Sequence, residues 1–449
     1  MRVLIISLHF PPIAGMSARA MAELSGAMAE AGHEVHIITV LPVPHHPVYR
    51  CAADEVRFIA RGVEVHRIPM GPINRLIARG MRPPAADGGS PAAPSPIRRT
   101  IGKCMRLAYG ARRIWQPLAV PDASIDWLPY AVLKARRLLR ASQFDLAVSL
   151  GNPQTCHLAA FLATRGLACA WVPFYGDSWG LDPGLTERPA FTAAINRILE
   201  RMVLKGATRV AVCTDAMKSG LVEAYRMEPG KITSTPIAFT DLDSYEAVKP
   251  APAPGFSLVY TGHIYGSLQD PMPFLRAASR IAAAEMAVSF IGAIPQQYVR
   301  AAAELGVNAR FPGWHSPRQI IEDQKNASAL LIFGHRGGHV MPSKLFEYFA
   351  ARRPILAVSA DERDLVAPLI GKHRRGLIAA NREDDIEDAL RNLIGLHRRD
   401  SLDSCFDLSL LREYSARATA QRLMNGIIGA AAFKSSHLTI PVTTTDEAV

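Results

Sequence analysis

The chain has 449 residues, 49% of them hydrophobic and 20% charged, which is enough apolar material for two or three packed domains and argues against a disordered chain. Its 51 Lys and Arg outnumber 40 Asp and Glu for a formal charge of +11, and no run approaches the roughly 18 uncharged apolar residues that cross a bilayer. The six cysteines form no C-x-x-C pair and have no His-rich partner spacing, so neither a disulfide framework nor a metal site is expected.

The opening MRVLIISLHFPP loses its apolar run at Leu8, before His9, Pro11 and Pro12. It therefore reads as a buried strand rather than a secretion signal, and a cytoplasmic protein is expected. Arg2–Ser7 as strand, His9–Met16 as loop, Ser17–Ala31 as helix and Glu34–Val40 as strand compose a βαβ unit. Gly15 stands at the helix start, where backbone N–H groups can meet a phosphate or where a glycine simply makes the turn.

Positive charge is concentrated in the next segment. Between Arg57 and Arg140 sixteen basic residues face four acids, which leaves the rest of the chain close to neutral. Residues 81–96 hold five prolines and read as a flexible insertion. Ile97–Leu118 reads as a basic amphipathic helix, with Arg99, Lys103, Arg106 and Arg113 on one face and Ile101, Cys104, Met105, Ala108 and Trp115 on another. An anionic membrane surface is the favoured partner for it; the alternative is a solvated face over ordinary packing. No RNA-binding signature accompanies the charge, so nucleic acid is not expected.

The alternation continues through strand Leu146–Leu150, a helix from Thr155, strand Ala168–Pro173, helix Phe191–Lys205 and strand Arg209–Cys213. His157 falls about one turn into the helix after Leu150. It is a base or donor at a cleft, or a histidine satisfied locally. Asp177, in WVPFYGDSW just past a strand, can accept sugar hydroxyls or cap the next helix.

The proline-rich Val248–Gly255 reads as a linker closing a first domain over 1–247. A second α/β series over 256–405 follows, with strands Ser257–Thr261, Ala287–Gly292, Ala329–Phe333 and Ile355–Val358, then a helix within 406–432 and a disordered tail over 433–449. Two parallel sheets facing a central cleft are expected, with ligands at the carboxyl ends of strands. Gly262 and His263 in YTGHIYG lie at one such end. The segment GHRGGHVMPSKLFEYFAARRP offers Gly337 and Gly338 for close approach, Ser343 as helix cap, Lys344 for a diphosphate and Glu347 for ribose hydroxyls. The competing interpretation is an N-capped amphipathic helix with a Lys/Glu pair.

The FPPIAG and LSGAMAEAGHEVHIIT segments, FDLAVSLGNPQTCHLAA, YTGHIYG and MPSKLFEYFAARRPILA together resemble a retaining glycosyltransferase of family four, which has the two-Rossmann GT-B fold. The resemblance implies a nucleoside-diphosphate sugar on the C-terminal domain, an acceptor on the N-terminal domain, no metal or other cofactor, and a last helix that crosses back. It assigns donor binding to Gly15, Gly262, His263, Trp314, His315, Gly337, Gly338, His339, Ser343, Lys344, Leu345 and Glu347, and catalysis to His157, Asp177 and Lys344. His339 stands where the family commonly has the first of two glutamates, and His263 and Gln269 stand where many members have an Arg and a Lys. The Pro-Ser-Lys-x-x-Glu version is similar to members that act on lipid-linked or envelope glycans, so the implied reaction is hexosyl transfer to such a hydroxyl at the cytoplasmic face of the membrane. A nucleotide-sugar epimerase on the same architecture and a non-catalytic nucleotide-sugar or nucleic-acid binding protein are the alternatives.

Overall fold

A computed structural model describes residues 1–13, 15–42, 53–80, 118–181, 188–235, 238–251, 255–266, 268–338 and 341–437. The expected insertion over 81–96, residues 97–117 of the expected basic helix with all its named positions, and His339 lie outside the described residues.

Two all-parallel sheets form the cores. The first contains β1 (Arg2–Ile6), β2 (Glu34–Val40), β3 (Val63–Ile68), β4 (Leu146–Leu150), β5 (Ala170–Tyr175), β6 (Val210–Val212) and β7 (Ile232–Ser234), in the order β3-β2-β1-β4-β5-β6-β7. The second contains β8 (Phe256–Thr261), β9 (Met286–Ile291), β10 (Ala309–Gly313), β11 (Ala329–Phe333), β12 (Ile355–Ser359) and β13 (Gly376–Ala380), in the order β10-β9-β8-β11-β12-β13. The central strands are apolar without alternation, because crossover helices cover both faces of a parallel sheet. Val3 to Ile6 and Leu330 to Ile332 are accordingly fully buried. Val3 registers with Val35 on one side and Leu146 on the other, which makes β1 the pivot of the first sheet.

Strand order reverses between β1 and β4 in one sheet and between β8 and β11 in the other. At such a point the two flanking crossovers leave in opposite directions, and the loops beyond the carboxyl ends open a crevice for ligand.

The chain divides into two compact units, 1–236 with 419–449, and 237–418. The division falls before the expected linker at 248–255. The reason is local: the short helix Leu242–Ala247 is tied to the second unit, where Tyr245 donates its hydroxyl to Gln324 Oε1 at 2.5 Å and accepts at its carbonyl from Lys325 Nζ at 2.6 Å. The last helix spans Ala416–His437 and so runs past 433, where a tail was expected to begin. No helix among the described residues is long and apolar enough to cross a membrane.

Candidate functional site

In the second unit the order-reversal point is built from the turns after β8 and β11. Gly262 follows β8 with φ 113°, a left-handed value that glycine alone adopts without strain, and donates its N–H to Ile291 O at 2.8 Å. A Cβ here would lie 3.0 Å from Lys344 Nζ, so the turn and that ammonium pack directly together. Gly292, after β9, has φ 125°, and a Cβ on it would strike Gly262 O at 2.2 Å. The backbone at this edge is thus compact because two side-chain-free approaches coincide.

Lys344 opens the helix Lys344–Ala351 and is half-buried. Its Nζ donates to Tyr260 Oη at 2.7 Å and sits 4.0 Å from the centre of the Tyr260 ring. Tyr260 Oη in turn donates to His263 O at 2.7 Å. Burial pushes the Lys344 ammonium down to about 7, only partly offset by Glu347 one turn further along. A lysine so poised gains its proton readily when a negative ligand arrives. Tyr348 fixes the same helix against the sheet through its hydroxyl, which accepts from Thr261 N at 2.9 Å.

The other expected donor residues distribute unevenly. His263 stacks edge-on against Tyr265, with ring centres 4.4 Å apart. Trp314 and His315 follow β10 at the same carboxyl edge; Trp314 is 71% exposed, and His315 Nδ1 lies 2.6 Å from Asp323 Oδ2. Gly337 and Gly338 have φ of 82° and 69°. The Gly337 N–H is engaged by Asp361 Oδ2 at 2.8 Å, and a Cβ on Gly338 would meet Arg363 O at 2.4 Å. These glycines fit the loop against its own neighbours as well as against any ligand. Ser343 occupies the cap position, but with helical φ and ψ its side chain makes no cap bond, which corrects the expected capping role. Leu345 is fully buried in the apolar core, so its side chain is not a ligand contact.

In the first unit, Gly15 has φ 137° and precedes the helix Met16–Glu30, with open space where a Cβ would stand. The helix Thr155–Thr164 is different, since the Asp122 carboxylate already occupies its start, accepting from Thr155 N at 2.9 Å and Thr155 Oγ1 at 2.8 Å. His157 is fully buried against Tyr175, its Nδ1 2.8 Å from Ser149 Oγ, and burial pushes its pKa down to about 3. A ring held neutral in the core cannot exchange protons with a substrate, so the expectation of a cleft-facing base does not hold. Asp177 is exposed just past β5 and accepts from Asn152 Nδ2 at 3.0 Å. It caps no described helix; the next one begins at Ala190.

Two residues at the edge were not assigned a role from sequence. Tyr260 is a core-type aromatic in a strand, and only the fold turns its hydroxyl toward Lys344. Gln269 is buried, donating Nε2 to Phe333 O at 3.0 Å and accepting from Tyr265 N at 3.2 Å. It latches the turn after β8 onto β11 instead of presenting a group to ligand. A buried neutral amide can do this; a lysine there would bring an unpaired charge into the core.

Residues 15–238 match the family described as Glycosyl transferase 4-like domain. No curated protein sequence matches the chain. Among solved structures, the chain is similar to a glycosyltransferase from Rickettsia africae (10% identity, 96% of this chain and 98% of the other, TM-score 0.61). It is also similar to Anabaena Alr3699/HepE, whose structure is in complex with UDP and glucose (11% identity, 98% and 99%, TM-score 0.56). A putative UDP-N-acetylglucosamine 2-epimerase from Listeria monocytogenes is a third (14% identity, 100% and 99%, TM-score 0.52). At these identities the likeness speaks for the fold, and with two parallel-sheet α/β units it defines the GT-B architecture. Residues 15–238 thus resemble a glycosyl transferase 4-like domain, and the two units together have the GT-B fold.

Proposed function

We propose that the protein transfers a hexosyl group from a nucleoside-diphosphate sugar to a hydroxyl of a lipid-linked or cell-envelope glycan, with retention of configuration. The observation that carries the donor half is Lys344, held against Tyr260 beneath the Gly262 turn at the order-reversal point of the second sheet. A diphosphate at that edge would draw a proton onto Lys344 and lie beside the start of the helix Lys344–Ala351. As the glycosidic bond breaks, negative charge grows on the leaving phosphate, and a fixed ammonium stabilises that charge more than it stabilises the ground state. No metal is needed for this role. In a retaining reaction the leaving oxygen itself takes the acceptor proton on the same face. Glu347, His263, Trp314 and His315 are the remaining donor contacts of this reading, with Gly15 and Asp177 on the acceptor unit. The concentration of basic residues between Arg57 and Arg140 supports an anionic membrane surface as the place where the acceptor is met.

The test is a thermal-shift panel of UDP, GDP, ADP and TDP with their sugar conjugates, since a ligand of the native state raises the midpoint by mass action. One base should stand out, and its sugar conjugate should be consumed only when a glycan-lipid extract is added. Isomerised nucleotide sugar in the absence of acceptor would establish an epimerase instead. No shift at millimolar nucleotide would sink the donor assignment.

A further inference from the structure

Away from both carboxyl edges, near the amino ends of β2 and β3, three side chains converge on one point. His36 of β2 registers with Glu64 of the edge strand β3, and His66 lies two residues on, on the same face. His36 Nδ1 is 3.1 Å from His66 Nε2 and 3.4 Å from Glu64 Oε2, while His66 Nε2 is 3.3 Å from Glu64 Oε1. The two ring nitrogens thus face each other, and each faces one oxygen of the same carboxylate; one ligand atom from each of the three side chains lies within 4.8 Å of the other two. A tetrahedral ion with bonds of 2.0–2.1 Å separates its ligand atoms by about 3.3 Å.

The orientation of His36 sharpens the point. Its Nε2 lies 2.9 Å from Glu34 Oε1, which fixes the Nε2–H tautomer and aims the Nδ1 lone pair at the other two groups. Glu34 is itself paired with Arg2 at 2.7 Å, and the His36 ring is packed edge-on against Phe144. A lone pair facing a carboxylate and a second imidazole is unfavourable unless a cation or a proton lies among them. The neutral alternative, one N–H of His66 donated to His36, leaves Glu64 beside both rings with one proton for three acceptors.

We propose that His36, Glu64 and His66 bind a single divalent transition-metal ion of the zinc class, with Glu34 as the outer carboxylate that orients His36. The fourth position is open to water on the side of exposed Glu64. The ion braces β3, the edge of the first sheet, to β2, and it takes no part in the proposed transfer, whose residues lie at the opposite ends of the strands. The sequence hid this group because Glu64 and His66 alternate along one strand while His36 sits on another.

Untagged protein, stripped with chelator, is titrated with Zn2+ and with Co2+. One equivalent should bind with a dissociation constant of micromolar or lower, Co2+ should give the intense visible bands of four-coordination, and Zn2+ should raise the melting midpoint. His66→Ala should abolish uptake. Glu34→Gln, which removes no ligand, should weaken it 10- to 100-fold. Should His66→Ala fail to fold, the exposed Glu64→Gln serves, with at least a tenfold loss expected. Absence of stoichiometric uptake, or uptake that these substitutions leave unchanged, overturns the proposal.

Discussion

Lys344 carries the donor site because its charge is held back until a ligand needs it. A folded-state pKa near 7 against an ordinary value of 10.5 means that the unfolded chain binds the proton more readily between these limits. The lysine therefore weighs against folding below pH 7, and that burden lifts as pH rises toward 10. Lys344→Met keeps the packing against Tyr260 and discards the burden. Its melting midpoint at pH 7 should equal or exceed that of the wild type while turnover falls at least 100-fold, a loss of about 3 kcal/mol in transition-state stabilisation. A parallel drop in both would assign Lys344 to structure. Diphosphate binding at pH 8 should take up close to one proton, so calorimetric enthalpies measured in Tris and in HEPES should differ. Equal enthalpies would remove the lysine from the phosphate site. Gly262→Ala probes the same contact from the backbone. With φ at 113° and the new methyl against Lys344 Nζ, the strain costs about 1–3 kcal/mol and displaces the ammonium. Nucleotide affinity should fall more than tenfold, and a variant that retained full affinity would show the turn to be only a connector.

The elements legible in the sequence are those buried on both faces. The interior strands β1, β4, β8 and β11 are short apolar runs bounded by turn residues, and the expected spans agree with them within a residue or two. The four edge strands β3, β7, β10 and β13 do not stand out in the sequence. Ala309–Gly313 alternates half-buried and exposed positions and includes a proline, and Ile232–Ser234 has only three residues. Pairing, not composition, makes these segments strands. The site divides in the same manner: Lys344 and Gly262 could be picked out from their spacing to strand ends, whereas the burial of His157 and the latch made by Gln269 depend on partners far along the chain. Glu200 is another such case. On the helix Ala190–Gly206 nothing in its sequence neighbourhood marks it out, yet it is fully buried, accepting from Gly180 N at 2.8 Å and from the Tyr225 hydroxyl. Burial pushes its carboxyl up to about 7. A raised carboxyl pKa favours folding below the unfolded value near 4.5, and that contribution is lost as pH climbs through 7. Glu200→Gln should match the wild type at pH 5 and exceed it at pH 8 by up to about 3 kcal/mol in urea unfolding. A constant difference at both pH values would mean that the carboxyl is ionised throughout.

At the scale of the molecule, the last helix is where sequence order and compact unit part company. Residues 416–418 group with the second unit: Ala416 N donates to Thr240 O at 3.0 Å, and Ser415 bridges Thr240. From Thr419 onward the helix belongs with the first unit. Thr419, Ala420, Leu423, Met424 and Ile427 are almost completely buried there, and Gly426 comes so close to Thr233 that a Cβ would lie 3.1 Å from Thr233 Cγ2. Each large apolar side chain on this stripe contributes about 1.5–3 kcal/mol by burial, so the segment supplies the first unit with roughly 5 kcal/mol or more. The first unit is then a discontinuous domain whose final piece is made after the second unit has been synthesised. A stop after Ala418 should lower the midpoint of one calorimetric transition by many degrees and leave a second near its original temperature. Nucleotide should still shift that surviving transition, because Lys344, Tyr260 and Gly262 all lie within 237–418. If both transitions fell together, the helix would be stabilising the second unit as well, and the independence of the donor-binding unit would have to be given up.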